Sequence, residues 1–262
     1  MGTGLIGVAL VLAQAAGAPP LQPADKWLVE YNEGDCTMSR PFGDPAAPTT
    51  FALQPSPTGG LGEVILLLPA NGRKGVRRGK GVVTLLPSGK RFEAQYAVGP
   101  LPDGKRRGAR FAAEQEFWKE LPNANALTVN LDETPFTMAL GGMARPLQAA
   151  KQCSDDLLKR WGASPDAIAR WREGTSPLSL FSPSTYPFAA SRDRVQGRTV
   201  ALVGVDREGR PTECRTVQTD TEPVLDTATC NLLMRGGRFE DVGADGPEKR
   251  WAVVPVRWAL PR

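Results

Sequence analysis

The sequence predicts two domains: a mainly β, sandwich-like N-terminal domain with a closing helix, followed by a smaller α+β domain. Three observations point there. Between Trp27 and Leu140 the apolar residues fall in short runs punctuated by Gly, Pro, Asn and Asp. From Tyr186 onward the order reads strand, turn, strand, helix, strand. Between the two lies a stretch rich in Pro, Ser and Thr, residues 173–185, which reads as a short linker. The 262 residues suffice for two such units, and 41% hydrophobic content allows each a core. The 24 prolines and 28 glycines favour short strands and turns over long helices.

The N-terminal domain is expected over residues 25–172. Its strands are Trp27–Tyr31, Cys36–Arg40, Phe51–Gln54, Glu63–Leu68, Val82–Leu86, Phe92–Val98, Leu127–Leu131 and Phe136–Leu140. Many short strands with frequent turn signals fit an all-β sandwich or barrel. Pro146 opens a helix running to Trp161, with Leu147, Ala150, Leu157 and Leu158 on one stripe, and Gly162 ends it. Ser164-Pro165 then predicts a second short helix containing Ile168 and Trp171.

Residues 1–18 read as a secretory signal peptide. Leu5–Leu12 is apolar, Ala13-Gln14-Ala15 is a small-x-small cleavage pattern, and Pro19-Pro20 follows. The run is shorter than the roughly 20 residues of a membrane-spanning helix. No Lys or Arg precedes it, so the start codon is open to question. Export predicts a periplasmic, oxidising location. There the four cysteines, Cys36, Cys153, Cys214 and Cys230, are expected as disulfides. Three pairings are possible, and a two-domain split favours Cys36–Cys153 with Cys214–Cys230.

The chain has no histidine, which removes the usual general base and zinc ligand. There is no Gly-x-Ser-x-Gly elbow and no phosphate loop. Asp155-Asp156, Glu114 and Glu116 are ordinary surface carboxylates, so no enzyme, cofactor or metal site is expected. The net charge of +4 does not imply nucleic acid. Two basic runs, Arg73 to Lys80 and Lys105 to Arg110, read as solvated hairpin loops, with contact to lipid or cell-wall polymer as the alternative.

In the C-terminal third, Tyr186-Pro187 leads to a short helix at Ala-Ala-Ser-Arg. Gly197 precedes the strand Arg198–Val205, Asp206-Arg207-Glu208-Gly209 makes a hairpin turn, and Pro211–Thr219 is the second strand. Glu222-Pro223 starts a helix with Leu225, Ala228, Leu232 and Leu233 on its apolar face, and Gly236-Gly237 stops it. The last strand holds Trp251-Ala252-Val253-Val254-Pro255-Val256-Arg257-Trp258. Tyr-Pro, the Asp-x-x-Gly turn, Leu225-Asp226 at the helix start, Phe239 after the helix and the closing Val-Pro-Val-Arg-aromatic strand together resemble the C-terminal domain of the TonB family, over residues 186–262. The part before it resembles, in its early cysteine-bearing strand and its Phe136 to Met143 segment, exported β-sandwich proteins of the invasion-associated locus B family; no function follows from that likeness.

The TonB resemblance implies an antiparallel sheet with helices on one face and a protein-binding role. The partner would be an outer-membrane TonB-dependent receptor or another envelope protein. The implied contact residues are Tyr186, Pro187, Trp251, Val253, Val254, Pro255, Val256, Arg257 and Trp258, with the last strand at a sheet edge. Pro255, lacking an amide hydrogen, suits an edge, whether that edge accepts a peptide or is guarded against one. Two features depart from energy-transducing relatives: no histidine-bearing transmembrane helix with a long Pro-rich spacer is recognisable, and Thr219-Asp220-Thr221 stands where Ser-Ser-Gly is usual. The alternative function is a structural envelope protein that binds cell wall or lipid through its basic N-terminal domain.

Overall fold

Alternation with period two builds the first half of the molecule. In the computed structural model, which describes residues 18–131 and 134–260, nine strands follow this rule. They are β1 (Leu28–Tyr31), β2 (Cys36–Phe42), β3 (Thr49–Pro55), β4 (Leu61–Pro69), β5 (Arg77–Leu86), β6 (Lys90–Pro100), β7 (Arg106–Glu114), β8 (Ala126–Asn130) and β9 (Phe136–Ala139). The signal-peptide segment, residues 1–17 of it, lies outside the described residues.

These strands form one antiparallel sheet ordered β1-β2-β3-β4-β7-β6-β5-β8-β9, not the two packed sheets of a sandwich. The sheet curls until its ends meet. Leu21 donates its N–H to Thr137 (2.7 Å) and accepts from Ala139 (3.0 Å), while Gln22 accepts from Gly43 (2.8 Å) and Ala24 donates to Pro41 (2.9 Å). One short segment thereby bonds to both the β9 and the β2 side, closing the wall and removing its free edge. Met38, Phe42, Phe51, Leu53, Leu66, Leu85, Leu127 and Met138 fill the inside.

One strand and one helix were missed by the pattern. β7 contains most of the second basic run, and its inward residues, Ala109, Phe111 and Ala113, are mostly small, so the apolar signal is weak. α1 (Gln115–Glu120) follows it and sets Phe117 edge-on to Phe92 at 5.5 Å. α2 (Ala144–Arg160) is the expected closing helix, with Ala150, Cys153, Leu157 and Leu158 buried. The second short helix is absent. Residues 167–172 are extended instead, because their main chain finds partners on the second sheet.

That second sheet comes from α3 (Phe188–Arg192), β10 (Gly197–Val205), β11 (Pro211–Thr219), α4 (Pro223–Gly236) and β12 (Arg250–Trp258), in the order β11-β10-β12, all antiparallel. Gly209 holds a positive φ of 79° in the β10–β11 turn, and a Cβ there would lie 2.3 Å from the Phe239 carbonyl oxygen, so glycine is required twice over. Ala201, Val203, Val205, Ala252, Val254 and Val256 pack against α3 and α4. The other face is covered too: Val200, Leu202 and Val253 pack on Leu157 and Leu158 of α2 and on Trp161 just after it. Helices therefore lie on both faces, with α2 supplied by the first half. The nearly unbroken apolar run Val200–Val205 is the sequence of a strand buried on both sides.

Cys36 is bonded to Cys153 and Cys214 to Cys230, with Cα separations of 6.0 and 5.5 Å. The first ties α2 to β2, and the second ties α4 to β11. Residues 173–185 are no slack tether. They form two 3-10 turns, Pro177–Leu180 and Pro183–Thr185, and Phe181 sets its ring edge-on to Trp258 at 5.5 Å.

Candidate protein-binding edges

A strand at the end of a sheet leaves every second residue with its N–H and C=O pointing outward. On β12 those residues are Trp251, Val253, Pro255 and Arg257. The fold has dealt with three of the four. Trp251 donates to the Ala167 carbonyl (2.7 Å) and accepts from the Ala169 amide (2.8 Å). Val253 donates to Thr58 Oγ1 (2.7 Å) and its carbonyl accepts from Ser56 Oγ (2.7 Å). Pro255 has no N–H to offer. The outward edge of β12 is thus covered over Trp251–Val253 by the extended segment after α2 and by the β3–β4 turn.

The nominated side chains are also engaged at home. Val254, Val256 and Trp258 are buried under α4, and Trp258 Nε1 donates to Thr229 Oγ1 at 2.9 Å. Tyr186 stands edge-on to Trp258 at 5.2 Å and donates its hydroxyl to the Val195 carbonyl (2.5 Å); burial pushes its pKa up. Pro187 precedes α3. Val253 faces α2, and Lys249 lies 4.5 Å over the Trp251 ring. Arg257 reaches Glu63 on β4 at 3.2 Å, and Glu63 also holds Arg110 at 3.3 Å. Tyr186, Pro187, Trp251 and Pro255 are half-buried and Arg257 is exposed; Pro255 and Arg257 line a cleft of about 1390 Å³ between the β6–β7 wall and the second sheet.

A further ion pair locks the two halves. Asp35, in the turn before β2, receives Arg198 Nη1 at 2.7 Å, with both side chains almost covered. Burial alone would raise the Asp35 pKa. Hydrogen bonds from Asn32, Arg198 and Thr37, together with the Arg198 charge, outweigh it and hold the carboxyl below its ordinary range. Ser56, Thr58, Ala167, Ala169 and Asp35 carry no local signal of these roles. Their partners lie far away in the chain.

β11 is treated differently. Among the described residues no strand pairs with its outer side. Its residues are all partly or fully exposed, and two register shifts interrupt its pairing with β10, at Val200/Ala201 and Gly204/Val205. The two basic runs come together at one end of the closed sheet: Ala70, before the first, donates to the Lys105 carbonyl at 3.0 Å. Arg77–Lys80 and Arg106–Arg110 belong to strands, not loops. Among the described residues, three or more potential metal ligands are nowhere gathered, and no helix is long and apolar enough to cross a membrane.

With the strand order, helix placement and turn chemistry in view, the comparison with known families is decisive for one region. Residues 182–260 match the family described as Gram-negative bacterial TonB protein C-terminal. The last third of the chain is TonB-like. Two solution structures of the Helicobacter pylori TonB C-terminal domain are similar to it, at 17% and 16% identity; each match covers 34% of this chain, and 88% and 99% of the respective domain, with a TM-score of 0.26 in both cases. No curated protein matches the chain. The TonB-like match begins at Ser182, the residue that caps the second 3-10 turn, so it takes in Tyr186-Pro187 and all of β10, β11, α4 and β12.

Proposed function

We propose that this chain is an exported, periplasmic protein-binding module of TonB type. It engages an extended segment of an outer-membrane receptor, or of another envelope protein, in TonB-type transport, and it does no catalysis. The observation that carries this reading is the TonB-like sheet of residues 182–260, a three-stranded antiparallel sheet with an edge on which a partner strand can add. The two disulfides fit an oxidising compartment.

The test is a titration of the full oxidised chain with synthetic peptides from the N-terminal segments of the host's outer-membrane receptors, read by calorimetry. Saturable binding of one of them supports the module. Failure of every such peptide, with the chain folded, sinks it.

A second reading has one observation in its favour. The fold gathers Lys74 and Lys105 with neighbouring arginines at one end of the closed sheet, a surface that suits an anionic lipid or polymer. Co-sedimentation with anionic vesicles or cell-wall polymer, lost at high salt, is its signature.

A further inference from the structure

We infer that the partner strand adds to the outer edge of β11, at Thr212–Thr216, and not to β12. The inference rests on the reading of the chain as a protein-binding module and names the surface it uses.

Hydrogen-bond direction decides the matter. Trp251 and Val253 turn their main-chain groups outward, onto Ala167, Ala169, Ser56 and Thr58. Alternation then turns Ala252 and Val254 inward, toward Val203 and Ala201 on β10. Those two β10 residues bond to β12, so Leu202 between them and Gly204 after them bond to β11, where Arg215 and Glu213 stand opposite. Within the regular register, Cys214 and Thr216 are left with N–H and C=O groups directed away from the sheet. The regular register from Ala201↔Thr216 to Gly204↔Glu213 keeps this stretch straight between the two register shifts. Among the described residues no strand occupies it, so a second strand has the edge to pair with.

The flanking chemistry selects for main chain. Glu213 is paired with Lys249 at 2.8 Å, and Arg215 is turned back onto the Trp161 carbonyl, so both charged side chains along the edge are engaged within the chain. Cys214 is held from behind by its bond to Cys230 on α4, which fixes the middle of the edge. The occupant is therefore an extended polypeptide segment of a partner, recognised by its backbone and without proline at the positions that must donate. Binding of this kind responds little to salt, unlike contact through the basic end of the closed sheet.

The experiment uses the full oxidised chain and the receptor-derived peptides, with amide exchange followed by mass spectrometry. The expected result is saturable binding that slows exchange over Thr212–Thr216 and leaves Trp251–Trp258 unchanged. Thr216→Pro removes one outward N–H without touching a bond to β10 and should weaken the peptide about tenfold or more. The exchange pattern of the unaltered chain keeps the inference testable if that variant does not fold. Binding that protects Pro255–Trp258 and is indifferent to Thr216→Pro overturns the inference and leaves the protein-binding reading standing. Absence of binding by every peptide overturns that reading and this one with it. Protection of β11 before any peptide is added, with a concentration-dependent doubling of mass, assigns the edge to a second copy of the chain and also overturns it.

Discussion

The Arg198 guanidinium meets the Asp35 carboxylate at 2.7 Å across the junction of the two sheets, with 14% and 11% of the side chains exposed. Asp35 is anchored beside Cys36 of the first disulfide, and Arg198 opens β10, the central strand of the second sheet. The pair therefore joins the closed sheet to the TonB-like one beside the first disulfide and at the start of a central strand.

Because the folded protein holds the Asp35 pKa below its ordinary value, the pair stabilises the fold above about pH 4, the unfolded carboxyl's range, and that stabilisation is lost as pH falls through the lower folded value. Asp35→Asn should cost roughly 3 kcal/mol at neutral pH, since it strands a nearly covered guanidinium. The gap between the variant and the unaltered chain should narrow at lower pH. Urea unfolding at pH 7 and pH 3 measures it; an equal gap at both would show that the charge is not what holds the junction.

The two disulfides should contribute unequally. Cys36–Cys153 spans a sequence separation of 117 and Cys214–Cys230 one of 16. In the chain-entropy account the longer loop is worth about 4.7 kcal/mol and the shorter about 3 kcal/mol. Paired Cys→Ser variants compared by thermal unfolding should show the larger drop for Cys36/Cys153. That loss should also free α2 from β2, loosening the cover over Val200, Leu202 and Val253.

Ser56 and Thr58 should act as a polar cover for β12. Replacing both by Ala leaves the Val253 N–H and C=O without partners, at a cost of about 1–3 kcal/mol. Exchange at the Val253 amide should speed up by at least about tenfold, while the amides of β10 stay protected. If Val253 exchanges as before, the cover is dispensable.

Gly209→Ala should be poorly tolerated. The positive φ and the Phe239 carbonyl 2.3 Å from the new methyl together predict a loss of roughly 2 kcal/mol or more. Gly104→Ala, at a comparable φ of 65° but with open space around it, should cost less. Denaturation midpoints of the two variants test whether the close approach or the dihedral dominates.

Much of the fold was legible locally. Eight of the nine strands of the closed sheet, α2, and every element from α3 to β12 follow from period and punctuation. β7 was hidden because Arg106, Arg107 and Arg110 sit in it while its inward residues are mostly small. The helix expected at Ile168 and Trp171 failed for a tertiary reason. Ala167 and Ala169 hydrogen-bond to Trp251, and Trp171 bridges to Phe239, so long-range pairing overrode a local helix start. The contact residues nominated on β12 were read from an edge that the sequence could place but could not show to be covered.

By itself, then, the sequence determined most of the order of elements and the TonB-like character of the last third, and it favoured the cysteine partners, because each rests on spacing within a short stretch of chain or on the division into two parts. Tertiary structure alone decided that the first sheet closes through Leu21–Ala24, that α2 covers the second face of the TonB-like sheet, and that β12 is covered at Trp251 and Val253 while no strand among the described residues pairs with the outer side of β11. Those outcomes depend on where hydrogen-bonding groups end up after distant segments meet: Ser56 and Val253, for example, are 197 residues apart in sequence and 2.7 Å apart in space. A buried main-chain group must find a partner, but nothing in its neighbours along the chain says which one.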